Sequence, residues 1–212
     1  MSSEYPGPRR LDDPTAMRAM AHPVRIKLLE QLTYRGAMTA TECAALVGES
    51  PSSCSFHLRI LAKYGFIEEA EGGTGRQRPW RVVQVGNTWQ TGPDAPVATR
   101  TAGEALAAVL RERGRVLLDE YLARRDEFEP EWAEADMLDD YGGWLTADEL
   151  ADIAQQIRAL WMPYIARLAA GETPRPGTRL VYMSAQAFPR ADNLDEAPGR
   201  APETDDEGGQ DA

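Results

Sequence analysis

The chain has 212 residues, 42% hydrophobic and 27% charged, with a formal net charge of −11. That length allows one or two domains and a core that needs no metal or disulfide staple. There is no apolar run of about 18 residues, so no membrane span is expected, and the opening MSSEYPGPRRLDDP lacks the apolar segment of a secretory signal.

Residues 1–11, with Pro6, Gly7 and Pro8 and no periodicity, read as a flexible arm. Asp13-Pro14 starts a first helix, Asp13 as cap and Pro14 in the first position. His22-Pro23 breaks it and opens a second helix, with Val24, Leu28, Leu29 and Leu32 on one face and Gly36 at its end. Thr41 is expected to cap a short third helix, Glu42 to Val47, closed by Gly48. Ser50-Pro51 then opens a fourth, with Ser50 as N-cap; Cys54, Leu58, Leu61 and Ala62 line its inner face and Gly65 stops it.

After Gly65 the period shortens. Residues 66–71 read as a strand, Gly72-Gly73-Thr74-Gly75 as a turn, and residues 80–85 as the returning strand. Residues 86–100 look like a linker. A long helix is expected over 101–128 with the stripe Leu106, Val109, Leu110, Leu117 and Tyr121. Thr146-Ala147-Asp148-Glu149 is a capping box. It starts a second long helix striped by Leu150, Ile153, Ile157, Leu160, Trp161, Tyr164 and Leu168, which Pro163 should kink and Gly171 stop. Thr178–Phe188 reads as a strand. Residues 191–212 hold eight acids and one Arg, with little to bury, and are expected to be disordered.

Residues 1–90 carry 11 basic and 9 acidic side chains, a net of +2; residues 91–212 carry a net of −13. A nucleic-acid partner therefore belongs to the first half. Helix, tight turn, helix and a hairpin with a basic tip is the order of a winged helix-turn-helix. A helix fits the major groove of B-DNA, and its first residues meet base edges. Ser50, Ser52, Ser53 and Ser55 occupy that position, short enough to approach closely and able to donate or accept. His57 and Arg59 follow a turn later, and Lys63 is placed for a phosphate. Arg76, Gln77 and Arg78 form the wing tip, in reach of a phosphate or the minor groove.

The stretch AMAHPVRIKLLEQL, followed by TATECAALVGESPSSCSFHLRILAKYGFIEEAEGGTGRQRPWRVV, resembles the arsenical-resistance-repressor (ArsR) type of winged-helix transcription regulators. The tokens are Ala21-His22-Pro23 with Arg25, Ala44 with Gly48, Ser52, Ser55, His57 and Leu58, then Leu61 and Gly65. They cover residues 12–86. The resemblance implies a DNA-binding transcriptional regulator. It departs from the metal sensors of that type, which carry a paired-cysteine motif before the recognition helix; here the corresponding segment holds Cys43 alone.

Other readings compete with several of these. Cys43 and Cys54 fit small core positions better than a redox or metal role. His22 reads as a helix-start residue, and His57 as either a DNA contact or a packing and capping group. Trp132, Trp144, Trp161, Met137, Tyr141, Met162 and Tyr164 suit a core, a dimer interface, or a pocket for an apolar small-molecule effector. The acidic run Glu127 to Asp140 reads as a solvated face rather than a metal site. No catalytic constellation stands out, and Gly72 to Gly75 lacks the Lys of a P-loop.

The expected architecture is thus mainly α with a small β-hairpin wing. A winged helix-turn-helix domain (12–90) and a linker (91–100) precede a helical (α+β) dimerisation or effector region (101–190) and an acidic tail (191–212). The expected function is that of a cytoplasmic, homodimeric, sequence-specific repressor on double-stranded DNA, with no cofactor, metal, catalytic residue or membrane partner. The helix over 101–128, with the first helix, is its expected dimer element. The rivals are a winged-helix module for protein contact, a regulator answering to a ligand in 101–190, and an enzyme with its site in 100–190.

Overall fold

The computed structural model describes residues 5–72, 78–89, 92 and 94–191. Each early helix is started by a local cap. The Asp13 carboxylate accepts from the N–H groups of Thr15 and Ala16 at the head of α1 (Pro14–Met20). His22 Nδ1 accepts from Val24 N–H at 3.2 Å at the head of α2 (Pro23–Arg35). The cap of α3 (Ala40–Val47) is Thr39 rather than Thr41. Thr39 and Glu42 satisfy each other's backbone N–H in a capping box, and only Thr39 has a carboxylate three residues ahead. Ser50 Oγ accepts from Ser53 N–H at 3.1 Å to start α4 (Pro51–Lys63).

These four helices enclose one core. Met17, Leu28, Leu32, Cys43, Cys54, Leu58 and Leu61 are all buried in it. Cys43 and Cys54 are free thiols in that core, as expected. Burial pushes the Cys43 thiol up to about 11 and raises that of Cys54, so neither offers a thiolate near neutrality.

The hairpin follows, with shorter strands than expected. β2 (Ile67–Glu69) and β3 (Trp80–Val82) pair antiparallel with Glu68 opposite Arg81. Val83 N–H still donates to the Phe66 carbonyl; beyond it the chain leaves the ladder and turns through Gly86 at φ +78°. On its other edge Trp80 exchanges two backbone hydrogen bonds with Met38. The hairpin is therefore anchored at both edges of β3.

The segment expected as a flexible arm is, over its described part, tied to the domain. β1 (Arg9–Arg10) runs parallel to β4 (Asn87–Thr88), inside the expected linker, and Leu11 is buried. The Arg9 guanidinium donates to the carbonyls of Gly65 and Tyr64 and lies over the Phe66 ring. Its charge offsets the carbonyl end of α4.

α5 (Val97–Ala123) begins four residues before the expected start and ends before Phe128. Pro96 precedes its first turn. Ala102 and Leu106 are fully buried against the α1 side of the core, so the first half of α5 belongs to the same core as the helix-turn-helix. Arg113 and Glu30 join α5 to α2 through a bidentate pair, 19% and 17% exposed.

No described residue after Leu106 is buried. α6 (Pro130–Glu134) is short, and α7 (Ala147–Ala169) carries the expected Thr146–Glu149 capping box and continues through Pro163. Thr178–Phe188 is not a strand. Among the described residues no strand pairs with it, and Leu180, Val181 and Phe188 are exposed. Arg179 ties this segment to Glu129 and lies over the Phe128 ring. The acidic stretch 192–212 lies outside the described residues. Among those described, no helix is long and apolar enough to cross a membrane.

Candidate nucleic-acid interface

Gly48, at φ +74°, ends α3 in the left-handed conformation and turns the chain sharply into Glu49 and Ser50. α4 then lies with Cys54, Leu58 and Leu61 inward. At i, i+4, i+7 and i+11, Ser52, Phe56, Arg59 and Lys63 share the face opposite that core, and all four are exposed. Free N–H groups at the start of a helix carry partial positive charge. This face therefore presents hydroxyl, cation and apolar ring in a narrow stripe.

The expected site residues fall into four groups: the stripe, its margin, the inward-turned His57 and the wing. Ser52, Arg59 and Lys63 are on the stripe. Arg59 folds along it, donating from Nη2 to Ser55 Oγ at 3.0 Å and from Nε to the Ser55 carbonyl. Lys63 Nζ stands 5.6 Å from the Tyr64 ring centre. Ser50, Ser53 and Ser55 lie at its margin and are engaged locally. Ser50 caps the helix and touches Ser52 Oγ at 3.0 Å, while Ser53 Oγ donates to Glu49 Oε2 at 2.9 Å.

His57 turns inward from the stripe. Its ring meets that of His22 with centroids 4.6 Å apart, and the edge of Phe56 at 5.3 Å. Its Nδ1 is buried and has no hydrogen-bond partner among the described residues. Burial lowers the pKa of His57, and the neighbouring His22 and Arg25 lower it further against the pull of Glu49. His22 is lowered by burial and then by Arg25. Both imidazoles are therefore neutral at neutral pH.

At the wing, Arg78 donates from Nη1 to Glu69 Oε2 at 2.8 Å, and Arg81 pairs with Glu68 at 2.7 Å across the hairpin. Arg76 and Gln77 lie outside the described residues. A cleft between the start of α4 and the wing is lined by Thr41, Ser55, Arg59, Glu69, Arg78 and Trp80. It brings the stripe and the described wing cation to one surface.

Two residues of this surface escaped the sequence reading. Phe56 was available from its spacing to Ser52, Arg59 and Lys63; Glu49 only from its position four residues before Ser53. Of the aromatic residues of the C-terminal half, Tyr141 is 87% and Trp144 70% exposed. Among the described residues no group of three or more His, Cys, Asp and Glu is arranged to hold a metal ion.

Residues 20–70 match a family model described as a helix-turn-helix domain. No curated protein matches the chain. Among solved structures, the chain is similar to the homodimeric winged helix-turn-helix DNA-binding domain of a possible ArsR-family transcriptional regulator from Mycobacterium bovis. That match has 22% identity and a TM-score of 0.29, and covers 52% of this chain and 82% of that one. A transcriptional regulator from Thermotoga maritima matches at 11% identity with a TM-score of 0.28, covering 72% of this chain and 88% of that one. Over residues 20–70 the helices follow the order of a helix-turn-helix, and the hairpin of β2 and β3 stands where such a fold carries a wing.

Proposed function

We propose that the chain is a sequence-specific DNA-binding transcriptional regulator, a homodimeric repressor that reads a near-palindromic operator through α4. The observation that carries this is the exposed stripe of α4, set opposite the core and flanked by the wing. Ser52 and Arg59 meet base edges, with Ser50, Ser53 and Ser55 at the helix start. Lys63 and the wing residues Arg76, Gln77 and Arg78 meet phosphates. His57 braces the helix from behind.

Dimerisation is supported by what the fold leaves uncovered. α1 and the first half of α5 are committed to the chain's own core, so the expected interface shifts along α5 to the exposed Leu118 and Leu122 and on into 137–188. A two-fold dimer sets its reading helices roughly 34 Å apart, in successive major grooves. A bound dimer represses by occupying promoter DNA.

The test is a salt titration of binding to DNA from upstream of the protein's own gene and to a shuffled duplex. Tighter binding of the native sequence, with log affinity falling linearly in log salt, supports the reading. Equal affinity for both duplexes at every salt concentration overturns it in favour of a protein-contact module.

A further inference from the structure

Phe56 is 59% exposed on a face whose other members are Ser52, Arg59 and Lys63. It sits in the second turn of α4, where a recognition helix comes nearest to base edges. It is also held in place. Its edge packs on His57 with the rings 73° apart. His57 in turn packs on His22, and His22 is fixed by capping α2 through Nδ1. Three rings thus run from the head of α2 to the exposed face of α4. Lowered pKa values keep both imidazoles uncharged behind the phenyl ring.

The major groove offers one kind of apolar group at its edge, the C5-methyl of thymine. Cations and hydroxyls on either side of Phe56 suit phosphates and polar base edges, which leaves the phenyl ring for that methyl. We propose that Phe56 reads a thymine C5-methyl in each half-site and sets the preference for thymine there. This rests on α4 being the DNA-reading helix.

The experiment selects operator duplexes from a random library with the full-length protein, then replaces each thymine singly by deoxyuridine, which lacks only the methyl. Wild type should bind about four-fold more weakly at one thymine per half-site, the factor for burying one methyl-sized group. Phe56→Ala should bind thymine and uracil duplexes equally at that position. Phe56→Leu, which keeps an apolar side chain, should retain part of the difference. An unchanged melting temperature in both variants shows that the fold is intact.

Equal binding of thymine and uracil duplexes by wild type at every position overturns the inference while leaving DNA binding standing. So does a selected half-site without thymine. Failure to select any sequence overturns the underlying reading of α4. If Phe56→Ala instead halves the sedimenting mass and leaves methyl discrimination unchanged, the ring seats a second copy of the chain and the inference falls.

Discussion

Glu49 places an anion beside the start of α4, where it holds the Ser53 hydroxyl. On the proposed reading of α4 as the DNA-facing helix, this carboxylate repels phosphates and restrains binding to any sequence. Glu49→Gln should therefore raise affinity for random duplex at low salt by about three-fold, the factor for one like-charge pair about 7 Å apart in water. The gain should vanish at high salt, and fluorescence anisotropy at two ionic strengths checks both. The His22–His57 pair makes a second prediction. Both pKa values are lowered on folding, so the unfolded chain binds more protons than the native one as pH falls. Stability should hold above the ordinary histidine pKa of 6.5 and fall as pH drops through it toward the lower native values. Arg25 opposes protonation and Glu49 partly favours it. Melting temperatures between pH 7.5 and about 5.5 should decline. The double variant His22→Asn/His57→Gln should flatten that decline, since Asn still caps α2.

The elements differ in how far each depends on distant partners. α1, α2 and α4 begin where Asp13, His22 and Ser50 put them, because a cap acts within three residues. Thr39 and Thr41 both look like caps in isolation, and the acid at position 42 separates them. Thr178–Phe188 has the apolar residues of a strand, but a strand exists only beside another, and local pattern supplies none. Phe56 was legible by spacing, yet an apolar residue among core positions reads as core until the face it occupies is known. α5 is tied to α2 by the Arg113–Glu30 ion pair as well as by apolar packing. Glu30→Gln keeps one amide oxygen as acceptor but removes the charge and the second carboxylate oxygen that the half-buried Arg113 uses. Glu30→Gln should cost about 2 kcal/mol in denaturant unfolding, as for a hydrogen bond to a charged group.

For the whole molecule, the core that α1 to α4 build extends into the first half of α5 and no further. A fragment ending at residue 100 would lose Ala102 and Leu106, both fully buried in the helix-turn-helix core. Such a fragment should be less stable than one ending at residue 124 by about 2–5 kcal/mol, the range for deleting a buried Leu side chain. Chemical denaturation of the two fragments measures the difference. Equal stability would mean that α5 adds nothing to that core. Sedimentation of the longer fragment also bears on assembly: with 125–212 removed it should run as a monomer, because only Leu118 and Leu122 of the proposed interface remain.

The sequence by itself determined the four helices, the hairpin and the polar start of α4. Each is written in caps, glycine stops and periodicities that act over a few residues. It also determined that Cys43 and Cys54 belong to a core, since both fall on inner faces at helical spacing. Only the tertiary structure decided that residues 9–11 are pinned beside β4, that α5 shares the core of α1 to α4, and that Phe56 faces outward on a brace of two histidines. Those outcomes depend on side chains 30 to 80 positions apart meeting in space, as Tyr5 meets Val85 and His22 meets His57. Burial is a property of the assembled molecule, and no local spacing encodes which of two apolar residues will find a partner.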